Sequence, residues 1–345
     1  MKNMKRNIVV FLLIMILSII SGCTKDSTAV ETNTQTETKD PTEIKIVTTY
    51  KPATEIVLAL GGKDKLIGAN DKTKKDPMIM KLDEELAERL VEVGSKKSGL
   101  NIEEIVALNP DVIVMYPTKE GDDTAQKLKD QNIKVVSINP ESVELLKSDI
   151  LKVGQAIGEV ENSEKLVKYY DEKIEYVTNK VKDIENKKKV YLAGAHGFLS
   201  TNSGDFYQHE IIETAGGIDL AENLKGGWNE VSIEQVITWD PDVITSVMYC
   251  KEGDPTDILN RPELQTLKAI KNKEVYQIPS NIGPWDMPQP SSILAIMWMS
   301  KTMYPDLFTE LNMKTAANEY YSTFYGKSFD DLGGVLIEHD IVTIK

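Results

Sequence analysis

NIEEIVALNPDVIV, residues 101–114, returns 131 residues further on as SIEQVITWDPDVIT, residues 232–245. Each copy reads as helix, turn, strand. Asn101 and Ser232 are residue types that accept from the free N–H groups of a helix start, and Glu104 and Gln235 stand three residues on, where a capping box places them. Pro110 and Pro241 cannot continue a helix. The runs after them, Asp111-Val112-Ile113-Val114 and Asp242-Val243-Ile244, are short, β-branched and apolar, which predicts buried strands.

A fainter echo precedes each copy: EIVLALGGKD (55–64) and EIIETAGGID (210–219) are both helix-like and both end in paired glycines. The echoes keep their order but not their spacing, so the pattern predicts two similar lobes and not a solenoid. In the first lobe IKIVTTY (44–50), KLIGA (65–69), the echo strand and KVVSI (134–138) alternate with helical segments. The second opens with KVYLAGAHG (189–197), ends its strands with EVYQIPS (274–280) and closes on two helical segments, 291–303 and 311–325. Alternation of this kind predicts largely parallel sheets. Between the lobes, Leu166, Tyr170, Ile174, Val177, Val181 and Ile184 recur by threes and fours, which predicts one long amphipathic helix over 163–186. The expected fold is therefore α/β, with two Rossmann-like lobes joined by a single long α-helix and a ligand cleft between them.

The N-terminus carries Lys2, Lys5 and Arg6, then an apolar run of 13 residues, Ile8 to Ile20, then Ser21-Gly22-Cys23. The run is too short to span a membrane comfortably. The small pair before a cysteine looks like the lipobox of bacterial lipoproteins, which makes 1–22 a signal peptide and Cys23 the lipid-bearing residue. Residues 24–42 hold a single bulky apolar residue, Val30, and are expected to form a disordered tether. The expected organisation is then 43–160 for the first lobe, 161–186 for the connecting helix and 187–345 for the second lobe. Net charge is −14, and −17 without the first 22 residues, so nucleic acid is excluded as a partner. With Cys23 lipidated, Cys250 has no disulfide partner and is expected to be a buried small hydrophobe.

These features together resemble the substrate-binding proteins of ABC importers for iron chelates, haem and cobalamin, over nearly all of residues 43–345. The resemblance implies a monomeric, non-enzymatic lipoprotein held on the extracytoplasmic face of the membrane, which delivers its ligand to a permease dimer with its ATPase subunits. It places one permease-docking carboxylate in each copy of the repeat, Glu103 and Glu234, so that a dimeric permease meets two matched handles. It implies no cofactor; the ligand is a metal chelate, an iron–siderophore complex first and a corrinoid or haem as the alternative.

Ligands of parallel α/β sheets gather beyond the carboxyl ends of the strands. The loops expected there hold Tyr50, Tyr116, Phe198, Tyr207, Trp228 and Trp285 in polar or glycine-rich company, suited to a large, partly apolar ligand. Lys51, Lys96, Lys97 and Lys119 supply positive charge, because only Arg89 and Arg261 remain beyond the signal peptide. The few arginines argue against a strongly anionic catecholate. His196 and His209 are the candidates for direct metal contact, although their spacing fits no local metal motif. Only three histidines are present, too few for a comfortable bare-ion site. The sequences of nucleophile elbows, zinc proteases and dinucleotide folds are absent, and YGKS at 325–328 lacks the upstream glycine of a phosphate loop.

Overall fold

The computed structural model describes residues 43–95, 98–117, 119 and 122–336; the expected signal peptide, Cys23 and the tether lie outside them. The first lobe contains β1 (Ile46–Thr48), α1 (Lys51–Ala59), β2 (Leu66–Ala69), β3 (Val91–Glu92), α2 (Ile102–Leu108), β4 (Val112–Met115), β5 (Lys134–Ser137) and α3 (Val143–Ile157). Then follow α4 (Val160–Val181), β6 (Lys189–Ala193), α5 (Tyr207–Thr214), β7 (Ile218–Asp219), α6 (Ile233–Trp239), β8 (Val243–Ser246), β9 (Val275–Gln277), α7 (Ser292–Met303) and α8 (Met313–Tyr325). Both main sheets are wholly parallel, with orders β3-β2-β1-β4-β5 and β7-β6-β8-β9. Leaving out the edge strand β3, the two orders are the same topology written twice.

The repeated stretch produces that identity bond by bond. Asn101 Oδ1 accepts from Glu104 N at 3.2 Å, and Ser232 Oγ from Gln235 N at 3.1 Å. Both helices stop on a left-handed residue, Asn109 at φ 49° and Asp240 at φ 44°, side chains that tolerate this region better than most. The aspartate after each proline then fixes the register of its strand. Asp111 Oδ2 accepts from Lys45 N at 2.8 Å and Asp242 Oδ2 from Lys189 N at 3.0 Å, each at the foot of its lobe's first strand. From there β4 pairs with β1 and β8 with β6.

The connecting helix α4 has 22 residues, about 33 Å at 1.5 Å per residue. It starts three residues before the predicted 163 and stops at Val181, so Ile184 lies past its end. Ser163 is not its cap: it is buried one turn in, with Oγ donating to Val160 O at 2.7 Å. The helix starts earlier because α3 turns directly into it through Gly158, at φ 77°. Gly154 of α3 faces Ser163 so closely that an added Cβ would stand 2.3 Å from Ser163 Oγ. Gly154→Ala is expected to lower unfolding free energy by about 1–3 kcal/mol in urea titrations, as overpacking does.

The sequence suggests a separate core for each lobe. The structure instead runs one apolar cluster through both sheets, by way of α1, α3, α4, α7 and α8, and a smaller one (Val47, Val93, Ile105, Ile113, Met115, Leu128, Ile133) covers the outer face of the first sheet. The second departure lies at the C-terminal end. α8 packs back on α1, and residues 326–335 continue to the loop after β9, where Asn281 Nδ2 donates to Gly333 O at 2.9 Å and Val335 N donates to Asn281 Oδ1 at 2.7 Å. A strap thus touches both lobes in addition to α4.

Candidate functional site

Since every strand of each main sheet points the same way, the loops after β1, β4 and β5 share one edge, and those after β6, β8 and β9 share the matching edge of the second sheet. Each repeated helix runs antiparallel to the strand after it. Its N-terminus therefore lies at that same edge, and both Glu103 and Glu234 sit there, in a first helical turn and exposed. Hydrogen bonds from its own backbone N–H and from Ser232 hold the Glu234 carboxyl below its ordinary range.

On the first lobe Tyr50 closes β1 in extended geometry, with Pro52 starting the helix behind it. Its ring meets Tyr116, at the end of β4, edge-on with centroids 5.5 Å apart and planes at 89°. Its hydroxyl donates to Ile138 O, after β5, at 3.2 Å, so one side chain ties three strand ends together. Burial pushes both phenols up, Tyr50 furthest, yet each ring stays only half-buried. Lys51 sits with Nζ 2.5 Å from Asp76 Oδ2 and 3.9 Å from Glu55 Oε1. Burial alone would lower its pKa; the two carboxylates outweigh it and hold the ammonium above its usual range. Lys96 and Lys97 lie outside the described residues, and Lys119 is exposed.

On the second lobe the expectations divide. Trp228 is half-buried, edge-on to Phe206 at 5.3 Å, and its ring lies over Gly194 at the end of β6, where a Cβ would be 2.3 Å away. Phe198, Tyr207 and Trp285 were expected in the cleft and are corrected to the core, at 0%, 1% and 0% exposure. Phe198 packs on Tyr191 under the Arg261 guanidinium, Tyr207 shares a 2.6 Å hydrogen bond with Ser292 Oγ, and Trp285 lies against Phe329 with Nε1 donating to Tyr321 OH. His196 is exposed. His209 Nδ1 is 3.0 Å from Asp219 Oδ2, a carboxylate that also accepts from Asn202 Nδ2 at 2.6 Å, so its imidazole is engaged in holding the loop. Among the described residues no three His, Cys, Asp or Glu side chains are grouped to hold a metal ion. Cys250 is buried, which pushes its thiol up.

Sequence reasoning missed the group behind this edge. Asp286 is fully buried; Oδ2 accepts from Tyr249 OH at 2.7 Å and Gln208 Nε2 at 3.1 Å, and burial raises its carboxyl pKa. Tyr249 follows β8 and is half-buried. Beside it, a cavity of about 150 Å³ is lined by Met248, Gln277, Pro279, Ser280, Asn281 and Val335, at the ends of β8 and β9. A larger groove of about 300 Å³ lies on the helical flank, between α4 and α8, and is rimmed by Glu172, Glu310 and Glu319. The smaller one belongs to the site, because it opens at the strand ends. Its volume is below the ~300–1,000 Å³ of typical ligand pockets.

Comparison with known proteins agrees with this architecture. The periplasmic binding protein family matches residues 46–282. The chain is 26% identical over 255 residues to the molybdate-binding protein MolA of Haemophilus influenzae, covering 67% of this chain and 72% of that protein. It is 24% identical over 263 residues to the vitamin B12-binding protein of Vibrio parahaemolyticus, covering 76% and 90%. A solved periplasmic solute-binding protein from Veillonella parvula superposes with TM-score 0.74 at 28% identity, over 83% of this chain and 89% of the other. Among the described residues no helix is long and apolar enough to cross a membrane.

Proposed function

Because the chain belongs to the periplasmic binding protein family, it is an extracytoplasmic substrate-binding component of an ABC transporter and not an enzyme, and we propose that its cargo is a weakly charged ferric siderophore complex. Delivery is to a permease dimer with its ATPase subunits, by a monomer tethered through a lipid on Cys23. The observation that carries the reading is the half-buried Tyr50–Tyr116 pair at neighbouring strand ends, which offers an aromatic wall to an organic ligand periphery. The apolar side chains Met248, Pro279 and Val335 at the opposite strand ends support it, because a bare oxyanion such as the cargo named for MolA needs converging donors. Among the described residues both guanidiniums are engaged within the protein: Arg89 with Leu66 O and Lys63 O, Arg261 with Glu252. A strongly anionic catecholate complex would lack a bidentate partner, so the siderophore class favoured is hydroxamate.

Fluorescence titration of the purified protein with ferric hydroxamates, ferric catecholates, haemin, cobalamin and molybdate tests this. Saturable quenching by ferric hydroxamates is expected. Tight binding of cobalamin, the cargo named for several relatives, or of haemin instead moves the assignment to that alternative, and binding of molybdate alone overturns the chelate reading. Tyr116→Ala is expected to weaken binding roughly fivefold, on the ~1 kcal/mol an aromatic contact contributes beyond its buried area.

A further inference from the structure

Glu55 is the one carboxylate on α1, and it is buried at 2% exposure beneath the end of α8. Its Oε2 accepts from Tyr325 OH at 3.1 Å, a bond between residues 270 positions apart. Four titratable groups face it. Lys51 lies one turn earlier on α1, with Nζ 3.9 Å from Oε1, and Asp76, before the helix Pro77–Leu82, holds the same Nζ at 2.5 Å. Tyr325 and Tyr321 approach from α8. Lys51 is thus shared, and the nearer carboxylate has the stronger claim on it. Beyond Tyr325 the strap is fastened on one side by Lys327 Nζ donating to Lys81 O at 2.7 Å and on the other by Asn281.

We propose that Glu55 and Tyr325 form a proton-operated latch, which fastens the C-terminal helix to the first lobe while Glu55 is neutral and slackens it when Glu55 ionises. The physical reason is solvation. A neutral carboxyl can remain under the helix with a single hydroxyl donor and a distant ammonium, whereas a carboxylate there lacks the water it would have on the surface and gains by the helix end moving away. Burial raises the Glu55 pKa from 4.5 to about 7, outweighing the opposing pulls of Lys51 and of the Tyr325 hydroxyl, whose bond by itself favours the carboxylate, so the change falls near neutral pH. The sign follows from linkage. The docked state binds the proton more tightly than the unfolded chain, so the contribution to stability is complete below about pH 4.5 and is lost as pH rises through about 7. Because α1 begins at Tyr50 and Lys51, the latch acts directly behind the ligand-facing edge.

The test needs no ligand, so its failure would leave the cargo assignment untouched. Thermal midpoints of wild type, Glu55→Gln and Tyr325→Phe are followed from pH 5 to 8.5, with hydrogen exchange read in residues 320–326 against Glu55→Gln at each pH. The amide keeps the acceptor and cannot ionise. Its advantage over wild type is expected to grow from near zero at pH 5 to on the order of 5 °C at pH 8.5, with wild-type exchange in 320–326 rising in parallel. Tyr325→Phe removes the hydroxyl that favours the carboxylate and is expected to extend the pH-dependent loss to higher pH, whereas a loss of packing alone would lower the curve evenly. A midpoint difference that does not vary with pH, or an even displacement in Tyr325→Phe, overturns the latch. Should Glu55→Gln fail to fold, the Tyr325→Phe profile decides alone.

Discussion

Reversing both first-turn charges, Glu103→Lys with Glu234→Lys, is expected to reduce uptake by at least ~100-fold while ligand affinity stays within a factor of about two. Both carboxylates are exposed at the N-termini of α2 and α6, and the identical lobe topologies carry each to the cleft edge of its own sheet. Neither forms part of the aromatic or apolar lining proposed for the ligand, so the affinity is expected to survive the substitutions. Under the proposed docking role, a lysine in either place would meet a basic permease residue and replace attraction with like-charge repulsion, which costs several kcal/mol at an interface, and each 1.4 kcal/mol is a factor of ten. A helix N-terminus also disfavours a cation, by about 0.3–1 kcal/mol, and that small loss appears in thermal unfolding rather than in binding. Transport by reconstituted importer, measured beside fluorescence titration of the same variant, separates the two effects. Uptake at the wild-type level removes the docking role from these residues.

The repeat was readable because its information is local. A cap, a left-handed stop and a proline lie within ten residues of sequence, Asn101 to Pro110 and Ser232 to Pro241, and each acts on its own copy, while only the aspartate that follows reaches a distant strand, at Lys45 N and Lys189 N. The long helix was legible for the same reason, though not its start, which depends on how Gly154 meets Ser163 across a tight turn. The candidate site was only partly legible. Tyr50, Tyr116 and Trp228 lie at strand ends and are only half-buried, but Phe198, Tyr207 and Trp285 stand in equally polar, glycine- or proline-rich company and are buried. Loop composition reports where a chain turns, not what covers the turn. The cover over Trp285 is Phe329 and Tyr321, some forty residues later, and the partner of Glu55 is 270 residues away. No period in the sequence encodes those meetings, and so the strap, the latch and the buried Asp286 emerge only from the assembled fold.

Trp285 gives this distinction its largest measurable consequence. Its indole is fully buried, 5.7 Å from the Phe329 ring, and its Nε1 donates to Tyr321 OH at 3.3 Å. Truncation to alanine removes the apolar area and leaves a cavity beside Tyr321 and Phe329, so a loss of about 3–5 kcal/mol of unfolding free energy is expected in urea titrations. That is a large fraction of the 5–15 kcal/mol that holds an ordinary domain together. The loss should also be directional. Phe329 belongs to the strap between α8 and the loop after β9, so hydrogen exchange in 326–336 is expected to rise more than exchange in the distant strands β1 and β4. Trp228→Ala, at the half-exposed position over Gly194, is expected to show the reverse pattern, with little change in stability and a clear loss of ligand affinity. A Trp285→Ala variant that keeps its stability and loses its ligand would return that side chain to the cleft, and would mean that the edge formed by β6, β8 and β9 opens much further than its packing here.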